Sequence, residues 1–178
     1  MRSLLITCAV PTLFLFIAGC GSSEQAARDA GPSSADDAQY LTTQPPEDSI
    51  AVGDAVDNVQ DGERATLVGL IGGSEQPFVD GLAAFTIVDP SVPYCAADEG
   101  CPTPWDYCCQ QDQVKGNIAT VKIVDEGGLP VAQDARQLLG LEELAEVVAT
   151  GTVRRDEEGN LTLDAENVYV KASVSEPK

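Results

Sequence analysis

Residues 147–170 read VVATGTV-RRDEEGN-LTLDAENVYV, and the class of the fold follows from them. Val147–Val153 is rich in β-branched residues, Arg154–Asn160 is a polar run suited to a hairpin turn, and Leu161–Val170 is a second strand-like segment. In that last segment Leu161 and Leu163 fall on one face, whereas Val168 and Val170 fall on the other. A strand changes faces only where a residue is inserted, so a bulge is expected near Ala165–Glu166. Working outward, three more segments have strand character. They are Ala65–Ile71 (ATLVGLI) before Gly72-Gly73, Leu82–Val88 (LAAFTIV) stopped by Asp89-Pro90, and Ile118–Val124 (IATVKIV). The last puts Ala119, Val121 and Ile123 on one face and Thr120 and Lys122 on the other. Further upstream, Ile50, Val52, Val56 and Val59 fit a short helix or an irregular lead-in strand equally well.

One helical signal lies between the third and fourth strands. Asp134 can cap its start, with Gln137 placed three residues later as in a capping box. Leu138, Leu141 and Ala145 follow at helical spacing with Leu144 beside them. Gly140 weakens the middle, so a helix of about two turns is expected. The order is β-β-β-α-β-β, and a single helix disfavours an α/β sandwich of parallel crossovers. This order over residues 62–172 resembles the OB-fold, a small, partly open Greek-key barrel. The resemblance implies an all-β domain with one short helix and a five-stranded barrel, spanning 49–174 with an insertion at 89–116. A small β-sandwich is the alternative. Gly69 and Gly151, each inside a strand, suit the sharp coiling of barrel strands.

The N-terminus carries an address. Arg2 precedes an apolar run from Leu4 to Gly19 of secretory length, ending Ile17-Ala18-Gly19-Cys20. That tetrapeptide resembles a bacterial lipobox. The resemblance implies a signal peptide at 1–19, diacylglycerol on the Cys20 sulfur, a fatty acyl chain such as palmitate on its amino group, and a membrane-anchored envelope lipoprotein. Gly21, in place of Asp, points to the outer membrane. Residues 20–48 are the lipidated Cys20 followed by 21–48, which are small, polar and acidic apart from Tyr40 and Leu41, a composition that reads as a flexible linker. A 28-residue coil would reach roughly 30 Å. The whole chain also resembles acidic lipoproteins of planctomycete-type bacteria with a similar Cys-rich loop, a family that offers no activity to carry over.

Charge and composition exclude several functions. The 178 residues include 29 acidic and 10 basic side chains, for a net charge of −19, and no histidine. Loss of Arg2 with the signal leaves −20. Nucleic acid is an improbable partner, because phosphate binding depends on Lys and Arg releasing counterions. Without histidine, Ser-His-Asp and Cys-His catalysis are closed. The carboxylate clusters Asp125-Glu126 and Asp156-Glu157-Glu158 lack the alternate-residue pattern of a calcium loop and read as solvated turns.

One constellation stands apart. Of six cysteines, Cys8 leaves with the signal and Cys20 is lipidated; Cys95, Cys101, Cys108 and Cys109 remain, spaced C-x5-C-x6-C-C. Three readings are open. Two structural disulfides come first: adjacent Cys108 and Cys109 would point to opposite faces of an extended chain and pair separately with Cys95 and Cys101. A four-thiolate zinc or iron–sulfur site is the second. A redox-active thiol is the third, disfavoured by the neighbours Asp98, Glu99, Asp106 and Asp112, with Lys115 the nearest base. Tyr94, Trp105 and Tyr107 could form a recognition surface or pack the loop on itself. The expected function is a non-catalytic, membrane-anchored, extracytoplasmic binding module with an envelope protein as partner and no cofactor. The alternative is a metal-handling or thiol-redox protein using the four-Cys loop.

Overall fold

The structure, a computed structural model, describes residues 37–96 and 99–171. The signal segment, Cys20 and the linker up to residue 36 lie outside the described residues, as does Asp98. The chain runs β1 (Ile50–Ala51), α1 (Val52–Asn58), β2 (Arg64–Ile71), β3 (Ala84–Val88), α2 (Gln111–Val114), β4 (Ile118–Ile123), α3 (Ala135–Leu139), β5 (Glu146–Arg155) and β6 (Leu161–Val170). The fold is mostly β, with one six-stranded sheet and few helices.

Strand pairing closes on itself. β2 pairs with β3, β3 with β4, β4 with β6, β6 with β5, and β5 with β2, making a ring of five. The two-residue β1 adds to β2 in parallel outside the ring. The ring contains one parallel pair, β4–β6, which the chain reaches by running through α3 and β5 first. The alternation read in the sequence is the alternation of burial: Ala65, Leu67, Gly69 and Ile71 face inward on β2, as do Ala119, Val121 and Ile123 on β4. The enclosed core is built on fully buried Leu67, Phe85, Ile87, Val121, Val147 and Leu163. At roughly 2 kcal/mol for each large apolar side chain, such burial is the main force closing the ring.

The bulge lies where the phase change put it. Thr150 pairs with Asn167 and Gly151 with Ala165, so Glu166 is the extra residue on β6. Burial passes from Leu161, Leu163 and Ala165 to Val168 across it. Gly151 is required there, because a β-carbon would lie 2.1 Å from the Asp164 carbonyl oxygen.

The helix expectation needs correction. Asp134 does cap α3, its carboxylate accepting from the Arg136 backbone N–H at 3.0 Å. The helix nonetheless spans five residues, because Gly140 adopts a left-handed φ of 65° and ends it. Leu141 is buried from the loop beyond it, so its spacing from Leu138 arises outside helix. Ile50–Val59, ambiguous in sequence, is strand and then helix. α1 has no local side-chain cap. Instead, Asp89 accepts from Gly53 N–H at 2.7 Å, and the Arg155 guanidinium donates to the carbonyls of Ala55 (3.0 Å), Val56 (2.6 Å) and Val59 (2.9 Å). Residues 37–42, read as part of the flexible linker, pack against the ring: Tyr40 and Leu41 contact the core, and Thr42 N–H donates to Val168 O at 2.9 Å.

Candidate metal centre

The loop between β3 and β4 is tied at its base by Asp89 N–H donating to Asn117 O at 2.9 Å. Asp89 is itself buried, its carboxylate also accepting from Ser91 N–H at 2.8 Å. The insertion has regular structure of its own, a 3-10 turn at Pro104–Asp106 and then α2. It also has a small core, with Val88, Val92, Tyr107 and Val114 buried together against Ile118. Tyr107 is the largest fully buried side chain of the described residues. It therefore cannot serve as a recognition aromatic: its ring lies under the loop. Tyr94 is exposed, and Trp105 is half-buried, its Nε1–H donating to Glu75 O at 3.2 Å. The loop docks on the end of β2, where Gly73 N–H donates to Trp105 O at 2.8 Å. A β-carbon on the adjoining Gly72 would stand 2.5 Å from that carbonyl oxygen and 2.9 Å from the Tyr107 ring.

The docked loop brings four thiols together. The Sγ atoms of Cys95, Cys101, Cys108 and Cys109 all lie within 4.8 Å of one another. Cys108 is the hub, at 3.5 Å from Cys95, 3.5 Å from Cys101 and 3.8 Å from Cys109. The expectation that Cys108 and Cys109 face opposite ways fails because the backbone is not extended there. Tyr107 is left-handed at φ 55°, and Gln110 N–H closes on Tyr107 O at 2.7 Å, so both thiols turn to one side. No disulfide links the four, whose separations far exceed a sulfur–sulfur bond of about 2.05 Å.

Hydrogen bonds hold the ligand-bearing backbone. Asp106 accepts from Cys108 N–H at 2.8 Å with one carboxylate oxygen and from the Thr103 hydroxyl at 2.8 Å with the other. Cys95 N–H donates to Pro104 O at 3.3 Å, and Gln111 Nε2 donates to Asp106 O at 2.6 Å. Sequence reading had weighed Asp106 only as a charge beside the thiols; a carboxylate two residues before Cys108 was a readable signal for this turn. Lys115, the nearest base in sequence, is exposed and paired with Asp112 at 3.1 Å. The thiols thus influence chiefly one another. Contact with Cys101 lowers the Cys95 thiol, contact with Cys95 raises the Cys101 thiol, and hydrogen bonds from Cys101, Cys95 and Cys109 push Cys108 well above the ordinary thiol range.

Four sulfurs this close can hold a metal ion. Zinc–sulfur bonds of about 2.3 Å in a tetrahedron put sulfurs about 3.8 Å apart, close to the spacing around Cys108. A multi-iron cluster spreads its thiolates over different irons and needs a wider cage. The carboxylate turns, by contrast, are satisfied by their own loops: Asp156 accepts from Asn160 N–H at 2.8 Å and Asp125 from Gly127 N–H at 2.8 Å. Compared with known proteins, the chain matches no family model, and no curated protein matches it. Among the described residues, no helix is long and apolar enough to cross a membrane.

Proposed function

We propose that this chain is a non-catalytic, lipid-anchored module of the bacterial envelope that binds one soft divalent ion, zinc by preference, through Cys95, Cys101, Cys108 and Cys109. A single observation carries the metal reading: four Sγ atoms within 4.8 Å, on a loop with its own buried core. Four thiols in mutual contact cannot all ionise without a cation, and a tetrahedral sulfur set favours zinc or a single iron. The supporting scaffold is an OB-type barrel. Five strands closed in a ring, with α3 joining the ring's third and fourth strands, are the basis for that assignment. The lipobox supports anchoring through Cys20, and the acidic surface, −19 overall, favours a protein partner or a cation over polyanions.

The test is intact mass and thiol counting of the full chain as purified without reductant, followed by titration of the reduced chain with zinc(II) or cobalt(II). One ion per chain, four fewer reactive thiols and a thiolate-to-cobalt charge-transfer band are expected. A mass lower by four hydrogens without metal, as two disulfides would give, refutes the centre. Membrane fractionation of the Cys20→Ser variant tests the anchor separately: continued association would refute the lipobox.

A further inference from the structure

We propose that the four-thiolate centre is an exchange site, handing its ion to an incoming thiol ligand across the exposed edge formed by Cys108 and Cys109. The proposal rests on the metal reading above and adds what the site does with the ion. A structural zinc site is closed, and its ion leaves only when the fold opens. This site is graded instead: Cys95 is buried at 3% exposure, Cys101 is half-buried, and Cys108 and Cys109 are exposed. The exposed ligands are adjacent in sequence and 3.8 Å apart, so the open half is one continuous edge. The innermost ligand is held without them, Cys95 being buried with its N–H on Pro104 O. The Cys108 backbone is fixed by Asp106 while its side chain faces solvent. An entering ligand therefore finds a preset geometry and displaces nothing but sulfur.

The charge of the site fits a neutral entering group. Residues 89–114 contain no Lys or Arg, and Lys115 is engaged by Asp112. A dication with four thiolates thus keeps a net negative charge that repels anionic chelators. A neutral thiol can enter. Its sulfur bonds the ion as the Cys109 bond to the ion breaks, and its proton passes to the departing Cys109 sulfur, leaving the charge unchanged. The same swap at Cys108 leaves the ion shared between Cys95, Cys101 and one dithiol; two further swaps with a second dithiol complete the transfer, four thiols in for four cysteines out, with no change in oxidation state. The acceptor class is a protein that offers two dithiol pairs and whose surface is not acidic.

The full chain loaded with zinc(II) is mixed with rising concentrations of a neutral dithiol, dithiothreitol, and release is followed with a zinc indicator alongside circular dichroism. Release should accelerate in proportion to dithiol while the fold signal stays constant. Cys109→Ser should bind zinc yet release it about tenfold faster to the same dithiol, as a weakened ligand shell does. A release rate independent of dithiol, release only on unfolding, or a Cys109→Ser rate equal to or below that of the unsubstituted chain would each overturn the exchange reading with the metal site intact. A chain that takes up no zinc overturns the metal reading itself, a separate result.

Discussion

Replacing Tyr107 by phenylalanine should stabilise the protein, and replacing it by alanine should unfasten the cysteine loop. The ring is fully buried, yet its hydroxyl has no hydrogen-bond partner. An unsatisfied buried hydroxyl costs about 1–3 kcal/mol, so Tyr107→Phe keeps the packing and removes the cost. The expected gain is about 1 kcal/mol, a rise of about 2–4 °C in Tm for a chain of this size. Tyr107→Ala should lose about 3–5 kcal/mol by opening a cavity beside Val88, Val92 and Val114, with weaker zinc binding as the loop loosens. Alkaline titration gives an independent readout. Burial first, and Tyr94 second, push the Tyr107 hydroxyl from its ordinary 10.0 up to about 12. Between those values the unfolded chain releases the phenolic proton and the folded chain keeps it, so this group's effect is to lower stability as pH rises from 10 to 12. Below that window both states are protonated and the group has no pH effect. Urea unfolding of both forms at neutral pH and across pH 10–12 measures each part. A phenylalanine variant less stable at neutral pH by about 1 kcal/mol or more, or one with an undiminished alkaline loss, would show that the hydroxyl is satisfied and refute the reasoning.

Gly151→Ala should cost about 3 kcal/mol in a thermal melt, because its β-carbon would meet the Asp164 carbonyl oxygen at 2.1 Å and Ala165 Cα at 2.7 Å, backbone atoms that cannot rotate aside. An unchanged Tm would mean that β5 and β6 are not in this register. For Asp89, burial raises the carboxyl pKa, but hydrogen bonds from Ser91 and Gly53 more than offset it and leave the group below its ordinary value. Its contribution is therefore complete above that ordinary value of 3.8 and is lost as pH falls through the lower, folded-state value. Asp89→Asn should cost about 1–3 kcal/mol at neutral pH, the gap closing in acid; a gap constant to low pH would dissociate the charge from the effect. Zinc affinity, measured by competition, should fall steeply as pH is lowered, since ligation must displace the protons that mutual contact holds on Cys101 and Cys108. A flat profile would contradict thiolate ligation.

The strands were legible because each obeys a local rule: one face is buried, and the two-residue period follows. The β6 bulge was legible for the same reason, since one inserted residue is the only way for burial to pass from Ala165 to Val168. The helices obey less local rules. α1 is held by Asp89 at its start and Arg155 at its end, residues 36 and up to 100 positions away, and no window of sequence contains that pairing. In α3 the apolar spacing continued past the true end. Leu141 is buried from a loop, and a period alone cannot tell a helical leucine from one carried inward after a left-handed glycine.

At the cysteines the sequence displayed the ligands but not their convergence. Two adjacent side chains diverge if the chain is extended and meet if it turns, and the choice was made by Tyr107. A bulky residue in the left-handed region costs about 1–3 kcal/mol, a strain that must be offset locally. Here the offset is the burial of the same residue's ring in the loop core. Ring burial fixes the backbone at φ 55°, the turn that follows brings Cys108 and Cys109 to one side, and Cys95 and Cys101 complete the set. The apolar core beneath the loop and the thiol cluster above it are thus two faces of one turn. Perturbations of the five-strand ring should reach the metal through Val88 and Ile118 beneath the loop and through the Gly72–Gly73 dock, whereas perturbations of Tyr107 should reach it directly.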